Sequence, residues 1–153
     1  MPGLDDLYRE IILDHYRSPR NRGELPPPAA HAVGHNPLCG DEIEVYLDVH
    51  DGPDGKVVGD IKVGGQGCSI SQSSASMMSQ AVKGKSVDEV RALVHKFRSM
   101  MSIEELSDDD AAADVKLGDL EALQGVVKFP VRIKCAVLAW NTLTEALAES
   151  TTA

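Results

Sequence analysis

Apolar residues recur at helical spacing through Leu4, Leu7, Ile11 and Ile12, and the pattern stops before Pro19. A repeat near 3.6 predicts an amphipathic helix from Leu4 to Tyr16. His15 continues the apolar face and is read as a partly buried ring. Asn21 to Ala30 contains three consecutive prolines and predicts an irregular connector. After residue 41 the period becomes two: Ile43, Val45, Leu47 and Val49 alternate with Glu42, Glu44, Tyr46 and Asp48, as in a strand with one buried face. Asp51-Gly52-Pro53-Asp54-Gly55 is turn chemistry, and Val57, Ile61 and Val63 resume the alternation beyond it. Together these segments predict an antiparallel hairpin.

Gly64, Gly65 and Gly67 surround Gln66 and run into Cys68, a backbone free to adopt unusual conformations and suited to a metal loop. Ser69 to Val82 predicts a helix with Ile70, Ser74, Met78 and Ala81 on one stripe, and the paired Met77 and Met78 are read as core packing. Ser86 with Glu89 resembles a capping box, opening a helix whose stripe is Val87, Val90, Val94, Phe97 and Met101. His95 lies beside that stripe as a reserve ligand. Ser102 to Gly118 is acidic and alanine-rich and predicts a surface excursion. A short helix through Leu120 and Leu123 follows. The terminal helix carries Ile133, Val137, Trp140, Thr144 and Leu147 on one stripe, with Pro130 in its first turn.

The 153 residues are 42% hydrophobic, enough for a single domain, residues 1–153, with its own core. Fifteen basic against twenty-four acidic residues give a formal charge of -9. An extended phosphate backbone would be repelled, so nucleic acid is not expected as a partner and a protein with a basic patch fits better. Met1-Pro2-Gly3-Leu4-Asp5-Asp6 has neither the basic start nor the apolar run of a secretion signal, and no stretch is long and apolar enough to span a bilayer. The expectation is a soluble cytoplasmic protein with no membrane partner. In that reducing compartment Cys39, Cys68 and Cys135, the three cysteines of the chain, point to metal ligands or reactive thiols rather than a disulfide framework. Three separately buried cysteines are the alternative.

Cys39 and Asp41 stand two residues apart across Gly40, so a turn can aim both at one ion. Cys68 precedes a helix, where the terminal N–H groups favour a thiolate, and Cys135 also lies near a helix N-terminus, off the strongest apolar stripe. Zinc takes four ligands in a tetrahedron from thiolate, imidazole and carboxylate, and three cysteines with Asp41 meet that count. His35 is the nearest substitute for Asp41. Lys134 is a poor ligand because its amine would have to lose a proton far below its reference pKa of about 10.4. Three thiolates and a carboxylate on a divalent ion sum to a charge of about -2, which Arg132 or Lys134 could offset. A thiolate held this way stays deprotonated but masked until released. A closed structural zinc site is equally compatible with the spacing.

Four stretches carry a resemblance: Leu7-Tyr8-Arg9-Glu10-Ile11-Ile12-Leu13-Asp14-His15-Tyr16, Asn36-Pro37-Leu38-Cys39-Gly40-Asp41, Gly67-Cys68-Ser69-Ile70-Ser71 and Ile133-Lys134-Cys135. From about Leu4 to about Glu149 the chain resembles the IscU/NifU-type iron–sulfur assembly family, most closely its SufU branch. The resemblance implies an α+β fold, a small antiparallel sheet with helices packed on one side (SufE/NifU-like), with the three cysteines gathered at one end. The scaffold branch has a histidine ligand before the third cysteine. Here that position is Lys134, as in the SufU branch, and the Ser102–Gly118 excursion falls where that branch carries its insertion. The scaffold branch's Leu-Pro-Pro-Val-Lys chaperone motif is replaced by Lys128-Phe129-Pro130-Val131-Arg132.

The SufU resemblance implies a zinc-dependent sulfurtransferase that takes persulfide sulfur from a SufS-type cysteine desulfurase and passes it toward downstream iron–sulfur assembly proteins. Cys39 would be the acceptor, with Asp41, Cys68 and Cys135 retaining the metal and Arg132 positioning or activating the acceptor thiol. The alternative is a non-enzymatic scaffold for a [2Fe–2S] cluster, since thiolates suit iron–sulfur ligation as well.

Overall fold

The predicted hairpin forms, and a third strand joins its free edge. The computed structural model describes residues 2–27, 29–37, 40–53, 55–101 and 118–152, with side chains of residues 2–8, 151 and 152 left out. Cys39 and nearly all of the acidic excursion lie outside the described residues. Strands β1 (Ala30–Asn36), β2 (Asp41–Gly52) and β3 (Gly55–Gln66) make an antiparallel sheet in the order β1-β2-β3. Gly64 and Gly65, read from sequence as loop, therefore belong to a strand. Alternation sends Ala30 and Ala32 of β1, Ile43, Val45 and Leu47 of β2, and Ile61 and Val63 of β3 into the core. The other face carries Glu42, Glu44 and Tyr46, and the His31 ring stacks on Tyr46 at 4.2 Å. Each large aliphatic side chain buried this way stabilises the fold by roughly 1.5–3 kcal/mol.

The connector expected over 21–30 ends where β1 begins, at Ala30. Its register sets Asn36 against Asp41 and Ala30 against Leu47. Gly34 lies under the terminal helix: a Cβ there would collide with Thr142 Oγ1 and crowd Leu138, so close approach of helix to strand requires glycine.

Helices α1 (Pro2–Arg17), α2 (Ser69–Val82), α3 (Val87–Met100) and α4 (Pro130–Thr152) accompany the sheet. Ser86 caps α3, accepting from the Glu89 N–H at 3.1 Å, and Val87, Val90, Val94, Phe97 and Met101 are buried as the periodicity predicts. The segment Gly118–Lys128 is a 3₁₀ helix rather than an α-helix, with Leu120 and Leu123 inward. Helix α4 packs against β1, β2, α2, α3 and the 3₁₀ helix. Cys135 to Trp140 are all buried while Thr144 is exposed, so the single-stripe expectation fails: a helix surrounded in its middle has no solvent face there.

Helix α2 buries Ser71, Ser73, Ser74, Ser76 and Ser79 beside Met77 and Met78. Small residues let helices approach closely, and the hydroxyls find partners. Ser74 donates to the Ala136 carbonyl at 2.6 Å and accepts from Trp140 Nε1 at 3.1 Å, while the Trp140 ring meets Phe97 edge-on at 4.4 Å. His15, expected to be partly buried, is fully buried. Its Nδ1 lies 2.8 Å from Ser76 Oγ and its Nε2 3.0 Å from Asp119 Oδ2, fastening α1 to α2 and the 3₁₀ helix. Among the described residues no helix is long and apolar enough to cross a membrane.

Candidate metal centre

Three elements end at one place. Asp41 is the first residue of β2, Cys68 is the N-cap of α2, and Cys135 lies in the second turn of α4. One ligand atom from each falls within 4.8 Å of the others. Ideal tetrahedral zinc would bring a thiolate sulfur and a carboxylate oxygen to about 3.5 Å, from bonds of about 2.3 Å and about 2.0 Å. Cys68 Sγ is already 3.9 Å from Asp41 Oδ2, so a small contraction closes the set. Two thiols and a buried carboxylate are the donors zinc prefers, and they fit three of its four positions. Cys39, the fourth ligand expected from sequence, is outside the described residues.

Asp41 is 1% exposed, which would ordinarily make its charge costly. Burial pushes its carboxyl up, but the Cys68 N–H, the Cys135 thiol, the Ser71 hydroxyl and the Cys68 thiol together hold it below the usual carboxylate range. The Cys68 N–H donates to Oδ1 at 2.9 Å and the Ser71 hydroxyl at 3.2 Å. The Ser71 N–H donates to Cys68 Sγ at 3.5 Å, which makes the thiol itself the helix cap, consistent with its predicted place at a helix N-terminus. Cys68 is half-buried and Cys135 fully buried.

Gly67 completes the cradle. Its φ is +156°, and a Cβ there would collide with Asp41 Oδ1 and Ser71 Oγ. Gly67→Ala is therefore expected to destabilise the protein by about 1–3 kcal/mol through overpacking, and to weaken metal binding in parallel because it displaces Asp41. Urea unfolding and metal titration of the same variant check both effects.

The reserve ligands stand elsewhere. His35 lies on the outer sheet face, its side chain 64% exposed and Nδ1 3.8 Å from Glu42. His95 lies on α3, beside a cavity shared with Arg91 and Thr144. Lys134, next to Cys135, is exposed. Arg132 is exposed and, with Arg9, Lys128, Ile12, Phe129 and Cys68, lines a cavity of about 750 Å³ that opens beside the centre. Sequence reasoning missed two residues that touch the cluster: Asn36, whose Nδ2 donates to Cys135 Sγ at 3.7 Å, and Ser71. Ser71 had a signal, since a third residue after a helix cap offers its N–H to the cap side chain.

A family model described as NifU-like N terminal domain matches residues 7–136. A Bacillus subtilis protein named zinc-dependent sulfurtransferase SufU is 46% identical over 146 residues, 95% of this chain and 92% of its own length. A Streptococcus pyogenes protein named iron–sulfur cluster assembly scaffold protein IscU is 41% identical, over 98% of this chain and 88% of its own. The crystal structure of the N-terminal part of a NifU-like protein from Brucella abortus is 27% identical, covers 94% of both chains and superposes with a TM-score of 0.77.

Proposed function

Because the chain belongs to the NifU-like N-terminal domain family, we propose that it is a zinc-dependent sulfurtransferase, accepting persulfide sulfur from a SufS-type cysteine desulfurase for iron–sulfur cluster biogenesis. The observation that carries the reading is the Asp41–Cys68–Cys135 set, with Asp41 and Cys135 buried and Cys68 half-buried, beside an exposed Lys134. The residue before Cys135 points to solvent instead of adding a ligand. The 46% identity to a protein named a zinc-dependent sulfurtransferase favours the same reading.

Asp41, Cys68 and Cys135 would hold the ion, with Cys39 as the fourth ligand. Bound zinc supplies a positive charge that keeps thiols deprotonated at neutral pH. Cys39 is the proposed acceptor. Its thiolate attacks the outer sulfur of the donor's persulfide, the donor's S–S bond breaks as the new S–S bond forms, and the donor sulfur leaves as a thiolate. No net oxidation occurs. Arg132, Arg9 and Lys128 line the cavity beside Cys68, with no acidic side chain lining it among the described residues, an attractive approach for an anionic persulfide in a chain of net charge -9. Arg132 is the proposed positioning residue for that approach.

The test adds the zinc-loaded protein to a pyridoxal-phosphate desulfurase with cysteine and a reductant and follows sulfide. Stimulation is expected, and its absence would reject the transferase reading. One observation favours a second reading, the 41% identity to a protein named as a scaffold. In that reading a [2Fe–2S] cluster forms on the same thiolates and leaves intact. Anaerobic reconstitution followed by transfer to an apo-ferredoxin separates the two.

A further inference from the structure

Asn36 is the last residue of β1, set by register against Asp41. Its side chain turns inward and is 6% exposed. Inward positions on the same strand hold Ala30 and Ala32, so an apolar residue would be the ordinary choice, and a buried amide is tolerated only where it is hydrogen-bonded. The carboxamide Nδ2 of Asn36 donates to Cys135 Sγ at 3.7 Å, with both groups buried. Sulfur is a weak acceptor as a thiol, and a charged acceptor forms the stronger bond.

We infer that Asn36 is a positioning residue of the metal centre, acting through an N–H···S hydrogen bond that fixes Cys135 Sγ and draws electron density from that sulfur when it binds an ion. The inference rests on the reading of Asp41, Cys68 and Cys135 as metal ligands. Each of the other two has a local donor: the Ser71 N–H for Cys68 and the Ser71 hydroxyl for Asp41. Asn36 does the same for Cys135, from a strand 99 residues away in sequence. The strand that the hydrophobic pattern did not announce therefore has a role at the centre: it carries the amide that supports the most deeply buried ligand.

The test uses the intact protein loaded with an NMR-active cadmium isotope in place of zinc. A scalar coupling between cadmium and the Asn36 side-chain amide proton, transmitted through the hydrogen bond and Cys135 Sγ, is expected. In Asn36→Leu, zinc affinity measured against a chromophoric chelator should fall by about tenfold or more, the usual effect of losing such a partner. The thiolate-to-metal charge-transfer band of the cobalt form should also move to longer wavelength, because sulfur without its N–H partner holds its electrons less tightly. A general packing defect would not move that band. Cadmium bound through Cys135 without coupling, or a folded Asn36→Leu protein with unchanged affinity and band, overturns the inference while leaving the metal centre standing. Failure of the protein to bind cadmium or zinc at all overturns both. If Asn36→Leu does not fold, the coupling in the unaltered protein decides.

Discussion

Asp41→Ala is expected to lower zinc affinity by more than about 100-fold, beyond the loss typical for a residue that only supports a ligand. The substitution removes a proposed ligand, and it also strips one acceptor from the Cys68 N–H and the Ser71 hydroxyl. The Ser71 hydroxyl keeps the Cys68 carbonyl at 3.1 Å as an acceptor, so the donor left unsatisfied is the Cys68 N–H, at a cost of about 1–3 kcal/mol. Asp41→Asn separates the two effects. Its amide oxygen still accepts from Cys68, so the metal-free fold is expected to lose less stability than in the alanine variant, while zinc affinity still falls with the lost charge. Chelator competition and urea unfolding of the metal-free proteins measure the two quantities.

The same carboxylate gives a pH dependence with a definite sign. Its folded pKa lies below the ordinary carboxyl value of about 3.8, so the unfolded chain binds the proton more readily and stability rises with pH. The contribution is complete above about 3.8 and is lost as pH falls through the lower folded value. For the metal-free proteins, the stability gap between wild type and Asp41→Asn should therefore narrow below that point.

Cys39→Ala is expected to abolish sulfur acceptance, reducing sulfide production to the level of the desulfurase alone, while metal remains bound at reduced affinity. The asymmetry follows from the centre itself: among the described residues Asp41, Cys68 and Cys135 already converge on one point. Cys135→Ala should behave in the opposite way. It removes a fully buried proposed ligand and the acceptor of the Asn36 amide, so metal binding and stability are expected to fall together. A Cys39→Ala protein that stimulates the desulfurase fully would remove Cys39 from the role of acceptor.

The convergence of Asp41, Cys68 and Cys135 was legible because each sits at an element boundary with its own local signal: a thiol before a helix, a carboxylate opening an alternating strand, and a thiol just inside a proline-started helix. Strand β1 was not, because its inward residues are Ala30 and Ala32 and its outward ones include His31 and His35. Alanine and histidine carry little strand signal, and Gly34 reads as a breaker until α4 is seen passing over it. The character of α4 was hidden for a related reason. Periodicity detects a helix with one dry side, whereas Cys135 to Trp140 are enclosed by both sheet and helices. Burial of the α2 serines was equally invisible, since a polar composition gives no hint that Ser74 will meet Trp140 and the Ala136 carbonyl. The His15 contact to Asp119 spans 104 residues, beyond the reach of any local pattern.

On the proposed function, sulfur arrives on Cys39 of a centre that holds zinc. The most direct measurement mixes the zinc-loaded protein with a cysteine desulfurase and cysteine, quenches with an alkylating agent and maps the peptides by mass spectrometry. The account predicts one additional sulfur atom on the peptide carrying Cys39, with its appearance dependent on bound zinc. Finding no persulfide on that peptide, while the reconstituted protein holds a stable [2Fe–2S] cluster and passes it intact to an apo-ferredoxin, would contradict it.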